Sequence, residues 1–240
     1  MSEIDGPPGT PTRLARGWGW FLVGATVLAV AAAALLAIGV VTLLPGAART
    51  SVDADAPRDM NGNAVQFDPG TMPSAEQEAA IDAAPYGEER FVVPAVGLDV
   101  PLAAMNVVDG AVTPPGFDTA YWVRNLGVSP DRAAEGTVYL AMHAMRNGAV
   151  GPGNYLIDID AARARLTPAT QIRVGELVYE VTGSVVVRKD QIGADTSVWT
   201  DEPGRLVVIT CLQRPDGGLS VANVVITAEL IEASGEAAAG

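Results

Sequence analysis

The chain has 240 residues and a formal charge of −13, from 15 basic and 28 acidic side chains, with one cysteine (Cys211) and one histidine (His143). One cysteine excludes an internal disulfide, and one Cys with one His falls short of the ligand sets that hold zinc. The acidic balance excludes the basic surface that neutralises nucleic-acid phosphates; no pattern calls for a metal or a cofactor, so none is expected.

In chain order, residues 1–17 form a short tail carrying Arg13 and Arg16. The 27 residues from Trp18 to Leu44 contain no charged side chain. About 20 apolar residues cross the hydrocarbon core of a bilayer, so this run predicts one transmembrane helix at 18–44. A cleaved secretory signal has a shorter apolar region, roughly 7–15 residues. The two arginines before the run, with Trp18, Trp20 and Phe21 at the interface, orient the tail to the cytoplasm and the rest outside. The predicted localisation is therefore the cell membrane, single-pass, with an extracytoplasmic main domain. Residues 45–88 read as a linker rich in Ala, Asp, Pro and Gly, in which Ser74 to Ala84 has the cap and composition of a short helix. The folded domain is expected over 89–232, and 233–240 as a disordered tail.

Within that domain, runs rich in Val, Ile, Tyr and Thr recur between Gly, Pro, Asp and Asn. They predict strands at Arg90–Pro94, Val100–Met105, Ala120–Val123, Gly136–His143, Gln171–Val174, Leu177–Val187, Leu206–Cys211 and Val221–Leu230. Gly175-Glu176 joins two of them as a hairpin turn. Asn154 to Ala164 suits a short helix or a turn. The class is all-β: an eight-stranded, closed or nearly closed barrel with short helices.

His143 and Cys211 each end an apolar strand, where side chains reach a barrel rim. A single thiol in an exported domain has no disulfide partner and is open to oxidation, so its retention points to reactivity. A thiolate is a good nucleophile, and an imidazole serves as its acid/base partner. Acyl transfer also needs a donor for the developing oxyanion.

These residues carry a resemblance. "LVVITC", Leu206 to Cys211, is similar to the strand-end Thr-Cys signature of sortases, and "LAMHA" stands where that family carries its histidine. "FVVPAVGLDVPL" resembles the opening strands of class F sortases, "VGPGNYLIDID" the segment after the histidine, and "VANVVITAEL" the last strand. The resemblance covers roughly residues 90–230. It implies a membrane-anchored cysteine transpeptidase on an eight-stranded barrel, cleaving a sorting motif of the Leu-Pro-x-Thr-Gly type through a thioacyl intermediate. The partners it implies are the sorting signal of surface proteins and a cell-wall or pilin amine. Cys211 would be nucleophile and His143 acid and base, with Thr210 beside them at the substrate.

Two positions depart from the family. Met142 precedes the histidine where glycine is common. The family's third catalytic residue, an arginine near the start of the last strand, has no counterpart at Val221–Asn223. Arg214 is the nearest substitute, Arg146 a second, and Asn223 could donate a hydrogen bond without a charge. The missing arginine keeps open an alternative, a catalytically degenerate sortase-like module that binds wall proteins. A wall L,D-transpeptidase fits poorly, because its histidine lies close to its cysteine, whereas here 68 positions separate them.

Overall fold

The computed structural model describes residues 57–65 and 73–233. The apolar run at 18–44 and the C-terminal tail lie outside them, as does most of the linker before residue 73. Among the described residues no helix is long and apolar enough to cross a membrane.

Eight strands close into a barrel: β1 (Ala84–Val93), β2 (Leu98–Met105), β3 (Ala120–Gly127), β4 (Val138–Met142), β7 (Gln171–Val174), β8 (Leu177–Arg188), β9 (Arg205–Leu212) and β10 (Ala222–Ala233). Their order around the barrel is β1-β2-β3-β4-β9-β10-β8-β7. The β2–β3 and β4–β9 pairs are parallel and the others antiparallel. β5 (Ile157–Asp158) and β6 (Arg163–Ala164) form a small hairpin apart from the barrel. Asn154 to Ala164 is thus a 3-10 turn, Pro152–Tyr155, running into that hairpin. Helix α1 is Ala75–Ile81, and Ser74 caps it in a reciprocal box with Gln77. Helix α2 is the single turn Thr196–Trp199.

All eight expected strands are present, and the differences lie at their ends. β1 begins six residues before the expected Arg90: Ala84 and Pro85 pair with Ala104 and Ala103, and pairing resumes at Arg90 after an irregular stretch. Pro85 and Gly87 give this stretch a linker-like composition, which hid the pairing. Gly175, at φ 59°, makes the tight β7–β8 turn that its sequence predicts.

Strand alternation creates two apolar layers. One side of each strand fills the barrel: Leu140, Leu206, Val208, Val224, Ile226 and Tyr179 are all at most 1% exposed. The other side carries a second cluster on the outer wall, with Ala103, Tyr121, Ala141, Ile209 and Val225. Register joins these five across the wall: Ala103 opposes Tyr121, Tyr121 opposes Ala141, Ala141 opposes Ile209, and Ile209 opposes Val225. Ile81 of α1 and Val198 of α2 belong to the same outer layer. Ala141 and Val225, near the strand ends, thus belong to the outer layer, whereas Val208 fills the core.

The linker is not featureless. Residues 57–65 fold into a small strap around Asp59, which is 3% exposed. The Asp59 carboxylate accepts from the backbone N–H groups of Asn61, Asn63 and Val150. Met60 N–H donates to Val150 O at 2.8 Å, tying the strap to the loop that follows β4.

Candidate active site

Parallel pairing of β4 with β9 ends at Met142 opposite Thr210. One position beyond this pair come His143, just past the end of β4, and Cys211 of β9, which also packs against the edge of the barrel core. On the other side of Cys211, antiparallel register sets Asn223 of β10 directly opposite it, and Val187 of β8 opposite Asn223. One row across three strands therefore reads Val187, Asn223, Cys211, with His143 following the end of the fourth strand beside it. It lies one rung beyond the apolar row that ends on Ile209 and Val225, at the rim. Cys211, His143 and Asn223 are all partly exposed.

Backbone contacts hold this register from behind. Thr210, 2% exposed, donates its hydroxyl to Met142 O at 2.9 Å. Gln213 donates its side-chain amide to Ala144 O. Side chains flanking Cys211 thus bond to the carbonyls flanking His143. The resemblance set Thr210 at the substrate, but strand alternation turns its side chain to the interior face, and its hydroxyl is occupied by β4.

The loop after His143 is fixed in the same way. Gly153 N–H donates to His143 O at 2.8 Å. Asn154 Oδ1 accepts from Met145 N–H and Gly151 N–H, and its Nδ2 donates to Met145 O. A Cβ at Gly153 would overlap Thr210 Oγ1 and lie 2.9 Å from His143 O, so only glycine fits without displacement.

The imidazole is held by the β2–β3 connection. Nε2 lies 2.7 Å from Pro114 O, and Phe117 stacks on the ring with centroids 4.7 Å apart at 26°. A carbonyl only accepts, so in the neutral ring Nε2 carries the proton and Nδ1 keeps its lone pair. Burial lowers the His143 pKa from 6.5; the Pro114 hydrogen bond opposes this, and the charge of Lys189 adds to it. The resting imidazole is therefore neutral at pH 7 and able to accept a proton.

The expected arginines are engaged with loop partners. Arg214 follows β9 and is paired with Asp216 at 2.5 Å, both side chains about half exposed. Arg146, three residues beyond His143, donates to Gly217 O at 2.8 Å, which bridges the β4 loop to the β9–β10 loop. Asn223 alone of the three meets Cys211 in register. The residue patterns gave no sign of Pro114, Phe117, Gln213 or Asn154; the place of the family's arginine on the last strand was the signal that pointed to Asn223. Among the described residues no group of three or more His, Cys, Asp or Glu could hold a metal ion.

No family model matches the chain, and no curated protein matches it. Solved structures that resemble it are sortases. Sortase C-1 from Actinomyces oris is 18% identical, with a TM-score of 0.43, over 60% of this chain and 73% of that one. Sortase A from Listeria monocytogenes is also 18% identical, with a TM-score of 0.42, over 60% of this chain and 87% of that one. A pilus-related sortase C of Group B Streptococcus is 14% identical, with a TM-score of 0.46, over 69% of this chain and 77% of that one.

Proposed function

We propose that the chain is a membrane-anchored cysteine transpeptidase of the sortase type. The observation that supports this reading is the rim geometry: the only thiol and the only imidazole of the chain each stand one position beyond the Met142–Thr210 pair, and Asn223 opposes the thiol on its other side. Two residues 68 positions apart are thus brought to the same end of two adjacent strands, within reach of one peptide.

The chemistry follows from the neutral resting pair. The imidazole takes the Cys211 proton as Sγ attacks the peptide carbonyl carbon, and a tetrahedral oxyanion forms. Asn223 Nδ2 donates to that oxygen from the adjacent strand. The C–N bond breaks as the imidazolium protonates the leaving amine, leaving a thioester on Sγ. An incoming amine then attacks the thioester, His143 takes its extra proton, and the thiol is restored as the new amide departs. The Pro114 hydrogen bond orients the ring throughout and partly offsets the cost of charging a buried imidazole. Arg214 and Arg146 lie on the loops beside the row and bind the flanks of the peptide. The donor is a sorting signal of a surface protein and the acceptor a cell-wall or pilin amine.

Incubation with peptides of the Leu-Pro-x-Thr-Gly type tests this reading. Intact-mass measurement is expected to show a thioacyl adduct that Cys211→Ala abolishes. Absence of cleavage, together with failure of a thiol reagent to label Cys211, would overturn it. Asn223 favours one alternative: an uncharged amide opposite Cys211 suits a sortase-like module that holds wall proteins without turnover. Tight binding of the same peptides with no adduct would select that alternative.

A further inference from the structure

The row has no arginine, but its open end carries a cation. Val187 of β8 opposes Asn223, and Arg188 opposes Ala222. Lys189 N–H then donates to Val221 O at 3.0 Å, so pairing runs one position further and sets Lys189 opposite Val221. Alternation gives Lys189 the same side of the sheet as Val187, and hence as Asn223 and Cys211, one rung nearer the rim. It is the only lysine in the chain.

The other cations here are occupied. Arg188 points to the opposite side and holds both carboxylate oxygens of Asp190, at 3.0 and 2.9 Å. Arg214 is paired with Asp216, and Arg146 is bonded to Gly217 O. Lys189 is exposed, and among the described residues no hydrogen bond or ion pair holds its ammonium.

We propose that Lys189 is the cation of this site, reaching over Asn223 on its flexible four-carbon stem to face the oxyanion formed at Cys211. Its charge disfavours the His143 imidazolium, as does the burial of the ring. Lysine acts here as a mobile point charge on a stem long enough to lean across a strand. Asn223 supplies the directed hydrogen bond and Lys189 the charge, two roles that a single guanidinium would combine.

This inference rests on the transpeptidase reading, and its test separates the two. Lys189→Gln, Lys189→Arg and wild type are compared as full-length chains in detergent. With a cleaved peptide, Lys189→Gln is expected to lose about 100-fold in kcat with little change in KM, as for loss of one oxyanion donor. Lys189→Arg is expected to recover most of that loss. Independently of turnover, 15N-labelled histidine gives the signals of a single imidazole. Its titration midpoint is expected to rise in Lys189→Gln and to stay near wild type in Lys189→Arg. Unchanged kcat or an unmoved midpoint in Lys189→Gln overturns the role of Lys189. A wild type that cleaves no peptide, yet whose midpoint moves as stated, overturns the transpeptidase reading and leaves the placement of Lys189 standing.

Discussion

A methyl group added at Gly153 tests how the two halves of the site are kept in register. Its Cβ would overlap Thr210 Oγ1 and lie 2.9 Å from His143 O, between the strand of the nucleophile and the backbone of the base. Neither neighbour yields easily: Thr210 is 2% exposed and bonded to Met142 O, and His143 O already accepts from Gly153 N–H. Overpacking of this kind costs about 1–3 kcal/mol. Pushing Thr210 aside strands Met142 O, a further cost of about 1–3 kcal/mol. Gly153→Ala is thus expected to lose about 2–6 kcal/mol, a large share of a typical stability of about 5–15 kcal/mol. Urea unfolding followed by tryptophan emission measures it, since Trp122 and Trp199 both lie in the folded unit. Because misplacement by about 1 Å costs on the order of 100-fold in rate, kcat falls as well. In the Gly153→Ala, Thr210→Ala double variant the closest overlap, with Oγ1, is removed while the 2.9 Å contacts to His143 O and the residue-210 Cβ remain, and the two losses add to more than the double shows, by about 1 kcal/mol. A midpoint and kcat for Gly153→Ala equal to wild type, or strict additivity in the double variant, would refute this account of how the pair is held.

Other outcomes follow from the same geometry. His143 has a folded pKa below its ordinary 6.5, so its neutral form contributes stability that is full above pH 6.5 and is lost as pH falls through the folded value; comparing wild type with His143→Asn at pH 7.5 and 5.5 should show the steeper acid loss in wild type alone. Asn154→Ala removes three hydrogen bonds that close the loop after His143, and it should cost about 1–3 kcal/mol in urea unfolding. Arg214→Ala breaks an exposed pair and should change stability by less than about 1 kcal/mol, while raising KM several-fold at nearly constant kcat if Arg214 binds the peptide flank. Asp59→Ala removes the acceptor that gathers Asn61, Asn63 and Val150, and limited proteolysis within residues 57–65 should quicken without a matching drop in barrel stability.

What the sequence revealed was set by how local each determinant is. Each strand is a run of β-branched residues bounded by turn formers, so all eight were legible, including the Gly175-Glu176 turn. β1 extends back through Pro85 because Ala103 and Ala104 of β2 accept it as a partner, a choice made by the neighbour. The thiol and imidazole were legible as strand-end singletons, and Asn223 by counting register. Pro114 and Phe117 reach His143 from a connection 26 to 29 positions away, and no periodicity encodes such a meeting. Asp59 hid in a segment of linker composition because its partner, Val150, is 91 positions downstream. Lys189 follows a strand and reads as an ordinary turn charge until the β8–β10 register is known.

The parallel β4–β9 pair has one more consequence. Antiparallel neighbours can meet through a short turn, whereas this pair needs a long crossover before its ends align. The nucleophile therefore acquires its base only when the chain between them has wound through β7 and β8 and the wall has closed. Until then Cys211 is an isolated thiol with no imidazole at its side. On the transpeptidase reading, assembly of the barrel thus acts as a safety catch: an incompletely folded chain carries a thiol without its base, and acylation by substrate would report that β4 and β9 have paired.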